Sequence, residues 1–300
     1  MNTLHLDFGR EMRGGQLQAM RLMCGLRDRG HGVVLLARKE SPLLECAQRE
    51  RIHAEALTWW SLVRAARHAQ VVHAHDARSH LFAALLSRKP LVVSRRVIFH
   101  VGRGSWSRWK YGRARAYAAV SKAVRRELKR AGVPEEKIRV IYDGVPLLEE
   151  SWDEAGPTVI PRSSDKRKGS SMAAEAAVQA GGPVLVSRNL EQDLRGANLM
   201  VYITKSEGLG SAALLAMSAG IPVIASDVGG LKEVVLNGKT GMRVKNNVEA
   251  IARAVRDLRG RPEKARKMGT RARRMVAENF SIHRMVDQTL EMYEAVLRAP

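Results

Sequence analysis

The stretch Ser206-Glu207-Gly208-Leu209-Gly210-Ser211, followed by an apolar run to Ala219 and then Gly220-Ile221-Pro222-Val223-Ile224-Ala225-Ser226-Asp227-Val228-Gly229-Gly230-Leu231-Lys232-Glu233, decides how this chain is read. Preceded by the apolar residues 199–203, it reads as strand, glycine-rich turn, helix (211–219), strand (222–226) and Gly-Gly loop. Gly208 and Gly210 let a backbone approach a ligand closely. The amides of Gly210 and Ser211 open a helix, where the dipole and unpaired N–H groups favour phosphate. Glu207 does not suit a phosphate, but its carboxylate accepts hydrogen bonds from sugar hydroxyls. One reading is a ligand with phosphate and polyol parts; the other is an ordinary βα turn with an exposed Glu.

Working outward, the same alternation recurs. In the first half, residues 4–8, 33–37, 71–74, 91–94, 117–120 and 138–142 read as strands, with helices over 16–29, 78–86 and 122–131. In the second half, strands over 158–160 and 183–186 join those above, and helices are expected at 170–179 and 247–258. Two basic helical stretches, 263–278 and 282–297, close the chain. In the last of these, Met285, Leu290, Met292, Tyr293 and Leu297 read as core. Residues 146–156 are acidic and aperiodic, and read as an interdomain linker. The fold class is therefore α/β, with two Rossmann-like doubly wound domains facing across a cleft. The expected division is 1–145, 146–280, and a final helix, 281–300, packing back on the first domain.

The chain has 300 residues, 45% hydrophobic and 27% charged, which excludes a disordered or fibrous chain. Two cysteines, Cys24 and Cys46, make neither a disulfide framework nor a zinc site. The N-terminal residues lack a secretory signal pattern and no run of apolar residues is long enough to span a bilayer, so a cytoplasmic location is expected. The net charge is +21, and 28 of the 51 basic residues fall in residues 1–150. A field of that sign favours polyanionic partners. Residues 103–130 hold ten basic residues and one acidic residue, Glu127, together with Trp106, Trp109, Tyr111 and Tyr117. Such a segment suits an anionic membrane surface; a solvated helix face, or stacking on RNA, are the alternatives.

The quoted stretch resembles the donor-binding signature of the family-four retaining glycosyltransferases, which have the GT-B fold. Gly14-Gly15, Arg29-Gly30-His31, His73-Ala74-His75-Asp76, Ala119-Val120-Ser121-Lys122-Ala123-Val124, Ile138-Arg139-Val140-Ile141-Tyr142-Asp143-Gly144-Val145 and Phe280 extend it in register over most of the chain. The resemblance implies transfer of a sugar from a nucleotide-diphosphate donor, with retention, to a glycolipid or lipopolysaccharide-type acceptor at the inner face of the membrane. It implies an N-terminal acceptor-binding domain and a C-terminal nucleotide-sugar-binding domain, with no metal, no cofactor beyond the donor substrate and no nucleic acid. Glu207, with Gly208, Leu209, Gly210 and Ser211, would meet the donor, and Arg162 and Lys168 would grip its diphosphate, with Lys166 and Arg167 as alternates. Gly14 and Gly15 would close over the phosphates. His75 and Asp76, at a strand's carboxyl end, would stand by the reaction, and Arg95 and Arg96 would meet an anionic acceptor.

Three departures separate the chain from the family pattern. Leu215 stands where a second Glu holds the nucleotide ribose. Arg95-Arg96 follows the strand at 91–94, where a His is common. The interval from Lys168-Gly169 to Glu207 is short, so the second domain is trimmed. These favour an alternative: a catalytically impaired, nucleotide-sugar-binding or scaffold subunit of a glycan assembly complex.

Overall fold

A computed structural model describes residues 1–98, 102, 104–165 and 167–298. The chain divides into two compact units, Met1–Gly144 with the helix from Ile282, and Val145–Ser281. In the first unit, β1 (Asn2–Asp7), α1 (Gly14–Arg27), β2 (Gly32–Ala37), α2 (Pro42–Arg49), β3 (His53–Ala56), α3 (Trp59–His68) and β4 (Val71–Ala74) come first. Then follow α4 (Ala77–Leu86), β5 (Leu91–Arg95), α5 (Ser105–Gly112), β6 (Ala116–Ala119), α6 (Lys122–Arg130) and β7 (Ile138–Val140). The strands form one parallel sheet in the order β3-β2-β1-β4-β5-β6-β7. Chain order reverses between β1 and β4, so the carboxyl ends of these two strands lie side by side, the place where open α/β sheets hold ligands.

The second unit contains β8 (Thr158–Pro161), α7 (Ser170–Ala180), β9 (Val184–Ser187), α8 (Leu190–Asp193), β10 (Leu199–Tyr202) and α9 (Ser211–Ser218). It continues with β11 (Val223–Ser226), α10 (Leu231–Val234), β12 (Gly241–Val244), α11 (Val248–Arg259) and α12 (Pro262–Asn279). Its parallel sheet has five strands, β12-β11-β10-β8-β9. Ile160, Leu199, Val201 and Ile224 of the sheet pack with Ala173, Ala177, Ile251, Val255 and Leu258 of α7 and α11 into one buried cluster. The chain then returns to the first unit as α13 (Ile282–Arg298), whose Met285, Val286, Met292 and Tyr293 pack with Leu22 and Leu26 of α1. Leu297, read as core from the sequence, is exposed.

Two readings need correction. The segment read as a linker is part of the second unit. The Ser151 amide donates to the Ala219 carbonyl at 3.1 Å, the Asp153 amide to Ala197 at 3.2 Å, and the Trp152 indole N–H to Asn198 at 2.9 Å. Its hydrogen bonds are made to loops rather than to a ladder, so it lacks the periodicity by which a packed segment is recognised. Residues 38–70, which the periodicity left unassigned, hold α2, β3 and α3. Edge strand β3 reads His-Ala-Glu-Ala, only four residues long, with nothing larger than alanine on its apolar face to announce it. The helices on either side are signalled by caps instead: Ser41 before Pro42, and the capping box of Thr58 with Ser61.

Candidate functional site

In the second unit the sheet's carboxyl edge gathers most of the donor residues expected from the sequence. Lys168 forms an antiparallel bridge with Thr204, just past β10, and the Gly169 amide donates to the Ile203 carbonyl at 2.8 Å. A Cβ on Gly169 would lie 2.7 Å from Cγ2 of Ile203, so this close approach requires glycine. The bridge delivers the Lys168 ammonium to the Glu207 carboxylate, with which it is paired, and to the Tyr202 hydroxyl at 2.6 Å. Tyr202 in turn donates to Glu207 Oε2 at 2.5 Å. Burial and the Glu207 charge push the Tyr202 phenol well above its ordinary value, so it stays a donor. Lys168 and Glu207 keep 27% and 17% of their side-chain surface exposed, enough for a ligand to reach both.

The turn after Glu207 is shaped by Gly210, whose φ of +108° is open only to glycine at low cost and whose Cβ would fall 2.5 Å from Cδ2 of Leu231. Gly210 is the N-cap of α9, with no side-chain cap and no acidic residue in the first turn. The leading amides of α9 therefore lack a side-chain acceptor from the cap, an arrangement that suits phosphate. The Glu207 carbonyl accepts from the Gly230 amide at 3.0 Å, which ties the Gly-Gly loop to the same turn. Gly208 is buried and Leu209 faces the core, so Leu209 can offer a ligand only its backbone. Arg162 lies exposed just beyond β8, its amide donating to the Ser187 carbonyl at 2.9 Å. Of the alternates, Arg167 is turned to Asp165 at 2.7 Å, and Lys166 lies outside the described residues. Leu215, one turn along α9 from Ser211, is 9% exposed.

In the first unit, the carboxyl ends of β1 and β4 hold Asp7, His75 and Asp76. Asp76 caps α4: Oδ1 accepts from the Arg78 amide at 2.7 Å and the Ser79 amide at 3.1 Å, while Oδ2 accepts from the Phe8 amide at 2.6 Å. Gly14 opens α1 and is exposed, and Gly15 lies beside Arg96, whose Cδ would be 3.8 Å from an added Cβ. Arg95, half-buried, ends β5.

Two expectations change here. Arg96, expected to meet an acceptor anion, is 12% exposed and is paired with Asp143 at 3.1 Å, so its charge is matched inside the fold. Its Nη1 also donates to His75 Nδ1 at 3.2 Å. A guanidinium only donates, so a neutral His75 carries its proton on Nε2 and donates it to His5 Nδ1 at 2.9 Å. His5 Nε2 then donates to Thr3 Oγ1 at 3.1 Å, and the Thr3 hydroxyl to the Gly32 carbonyl at 3.1 Å. Burial drives all three histidines of this region toward the neutral form, His5 to about 3 and His73 and His75 well below their ordinary value. His75 therefore has its acceptor nitrogen occupied and is too weakly basic to take a proton at neutral pH.

Ring nitrogens of His5, His73 and His75 come within 4.8 Å of one another. All six are already engaged, His73 with the Tyr293 hydroxyl at 2.5 Å and the Ser94 hydroxyl at 2.8 Å, so the cluster fits a hydrogen-bonded core rather than an ion. Sequence reasoning missed Tyr202, Asp143, His5 and Asp7. Only Tyr202, closing a strand five residues before Glu207, stands close enough in sequence to have been found.

The basic segment splits in two. Tyr117 is fully buried and donates to the Tyr111 carbonyl at 2.6 Å, so these rings belong to the interior. Trp106 and Trp109 lie exposed on α5, stacked at 4.9 Å. A second exposed stack, Trp59 on Trp60 at 3.7 Å, opens α3. Arg125 and Lys129 are paired with Glu135, and Arg130 with Glu127. Arg103 lies outside the described residues. No helix among the described residues is long and apolar enough to cross a membrane.

Residues 12–148 match the family model for glycosyltransferase family 4, and residues 166–275 that for glycosyl transferases group 1. Alpha-maltose-1-phosphate synthase of Mycolicibacterium smegmatis is 38% identical over 120 residues, 38% of this chain and 31% of that protein. The GDP-mannose-dependent alpha-(1-6)-phosphatidylinositol monomannoside mannosyltransferase of the same species is 44% identical over 87 residues, 29% of this chain and 22% of the relative. The matches thus span less than a third of either curated relative. The crystal structure of Anabaena Alr3699/HepE in complex with UDP superposes with a TM-score of 0.87 at 17% identity, covering 98% of this chain and 100% of that one, a likeness of fold. Two parallel α/β units of this kind define the GT-B class of glycosyltransferases. Within that class, the first half of the chain is similar to glycosyltransferase family 4 and the second to glycosyl transferases group 1.

Proposed function

We propose that the protein transfers a hexosyl unit from a nucleotide-diphosphate sugar, with retention of anomeric configuration, to a glycolipid or lipopolysaccharide-type acceptor. The observation that carries this reading is the Lys168–Glu207–Tyr202 constellation beside the N-terminus of α9. Glu207 would accept hydroxyls of the donor sugar. Lys168, Arg162 and the first amides of α9 would neutralise the diphosphate as it departs; such preorganised charge is worth most where it meets charge developing in the transition state. The leaving phosphate would itself take the acceptor proton, which agrees with the absence of a basic imidazole at His75. Asp76 would then act through the α4 cap, holding the start of the β1–α1 loop in place.

The acceptor class draws on the phosphatidylinositol mannoside substrate in the name of one relative, and on the two exposed tryptophan stacks of a basic first unit. Tryptophans beside cations rest at the headgroup level of anionic membranes, and we assign the protein to such a surface on the inner face of the membrane. The test is release of nucleoside diphosphate from UDP-glucose and GDP-mannose, with and without lipid-linked acceptor, for the wild type, Glu207→Ala, Lys168→Ala and Arg162→Ala. Transfer is expected for wild type alone; full rates in all three variants would overturn the assignment.

One observation favours a second reading, a donor-binding subunit without turnover: Leu215 offers no acceptor to a ribose hydroxyl. Raised thermal stability with UDP- or GDP-sugars, without transfer or hydrolysis, selects it.

A further inference from the structure

We propose that Asp7 is the positioning residue of the β1–α1 loop, its carboxylate clasping both ends of residues 8–15. Asp7 is the last residue of β1 and is 1% exposed. Its Oδ1 accepts from the Gly9 amide at 2.6 Å, at the start of the loop. Both its oxygens lie 3.2 Å from Nε2 of Gln16, in the first turn of α1. The fit is close: a Cβ on Gly9 would lie 2.5 Å from Gln16 Nε2 and 2.7 Å from Asp7 Oδ1. The neighbouring carboxylate, Asp76, takes the Phe8 amide, so two acids secure the loop's entry and one of them also secures its exit.

The strands beside Asp7 bring these titratable neighbours. β4 leads to neutral His75 and to Asp76, the cap of α4; β5 leads to Arg96, already paired with Asp143; β1 itself brings neutral His5. Arg38, after β2, gives only its amide, to the Asp7 carbonyl at 3.1 Å. Burial, then the Asp76 charge, push the Asp7 carboxyl up to about 6, against the lowering by the Gly9 and Gln16 hydrogen bonds and by Arg96. The clasp depends on the ionised form: a protonated carboxyl turns one oxygen into a donor facing a donor, and a neutral acceptor holds an amide less strongly than a charged one. The Gly9 and Gln16 hydrogen bonds lower the carboxyl of a still-buried Asp7, so loop opening that breaks them without unfolding β1 is disfavoured as pH rises through about 6, although the same ionisation costs the whole fold stability.

Hydrogen exchange of the peptide spanning residues 8–16, in the full chain from pH 5 to 8 and corrected for intrinsic rates, tests the clasp. Wild type should gain protection with a midpoint near pH 6, while Asp7→Asn should exchange about tenfold faster at pH 7.5 with a flat profile. Gln16→Ala should lose protection at the α1 end but keep the pH dependence at Gly9. Equal protection in wild type and Asp7→Asn at every pH would overturn the proposal.

Discussion

Replacing Asp7 by Asn should make the protein more stable at neutral pH. The unfolded carboxyl titrates near 3.8 and the folded one near 6. Below the lower value both states are protonated and the group is neutral in its effect. Between the two, the unfolded chain releases a proton that the folded protein retains. Above about 6 both are ionised, and the cost of holding a buried anion is complete. Two units at about 1.4 kcal/mol each give a penalty of about 3 kcal/mol as an upper bound. Asn removes the charge but weakens the Gly9 hydrogen bond, at about 1 kcal/mol, so the net gain should be roughly 2 kcal/mol. Urea unfolding followed by tryptophan fluorescence isolates the relevant unit, because Trp59, Trp60, Trp106 and Trp109 lie in it and only Trp152 lies in the other. The gain should be full at pH 7.5 and absent at pH 4. A variant less stable than wild type at pH 7.5, or a difference that ignores pH, would refute the account of Asp7 as a costly anion retained for its clasp.

Other outcomes follow from the same geometry. Tyr202→Phe removes one of the two hydrogen bonds holding Glu207 and should lower donor affinity about tenfold with little change in stability, read by calorimetry with UDP-glucose. Gly210→Ala combines a φ of +108° with a contact to Leu231, and should cost about 2–4 kcal/mol in urea unfolding of the second unit, read through Trp152 in a chain whose other four tryptophans are replaced by Phe. Trp106→Ala with Trp109→Ala should reduce pelleting with anionic vesicles, and 0.5 M salt should reduce it for wild type; unchanged pelleting counts against the membrane assignment.

Alternating apolar runs and helices marked both parallel sheets, because strands buried on two faces must be apolar throughout. Edge strand β3 escaped because its apolar face consists of two alanines, too small to stand out. Glu207 and Gly210 could be singled out from the glycine-rich turn itself, whereas Lys168 came in through the family resemblance, and the structure pairs it with Glu207. Arg96 and His75 were visible as residues but not as a pair with Asp143 and His5, since those partners are 47 and 70 residues away and nothing in a linear pattern couples them. Asp7 is the plainest case. A single acid at the end of a strand looks like a surface residue until the fold closes over it.

The placement of α13 bears on how the chain reaches its native state on the ribosome. The second unit is complete in sequence at Ser281, whereas the first unit, although synthesised first, still lacks the helix that covers Leu22 and Leu26 and supplies the Tyr293 hydroxyl to buried His73. Residues 1–144 cannot cover that face until α13 has been made, so the first unit is completed only after the whole of the second has been synthesised.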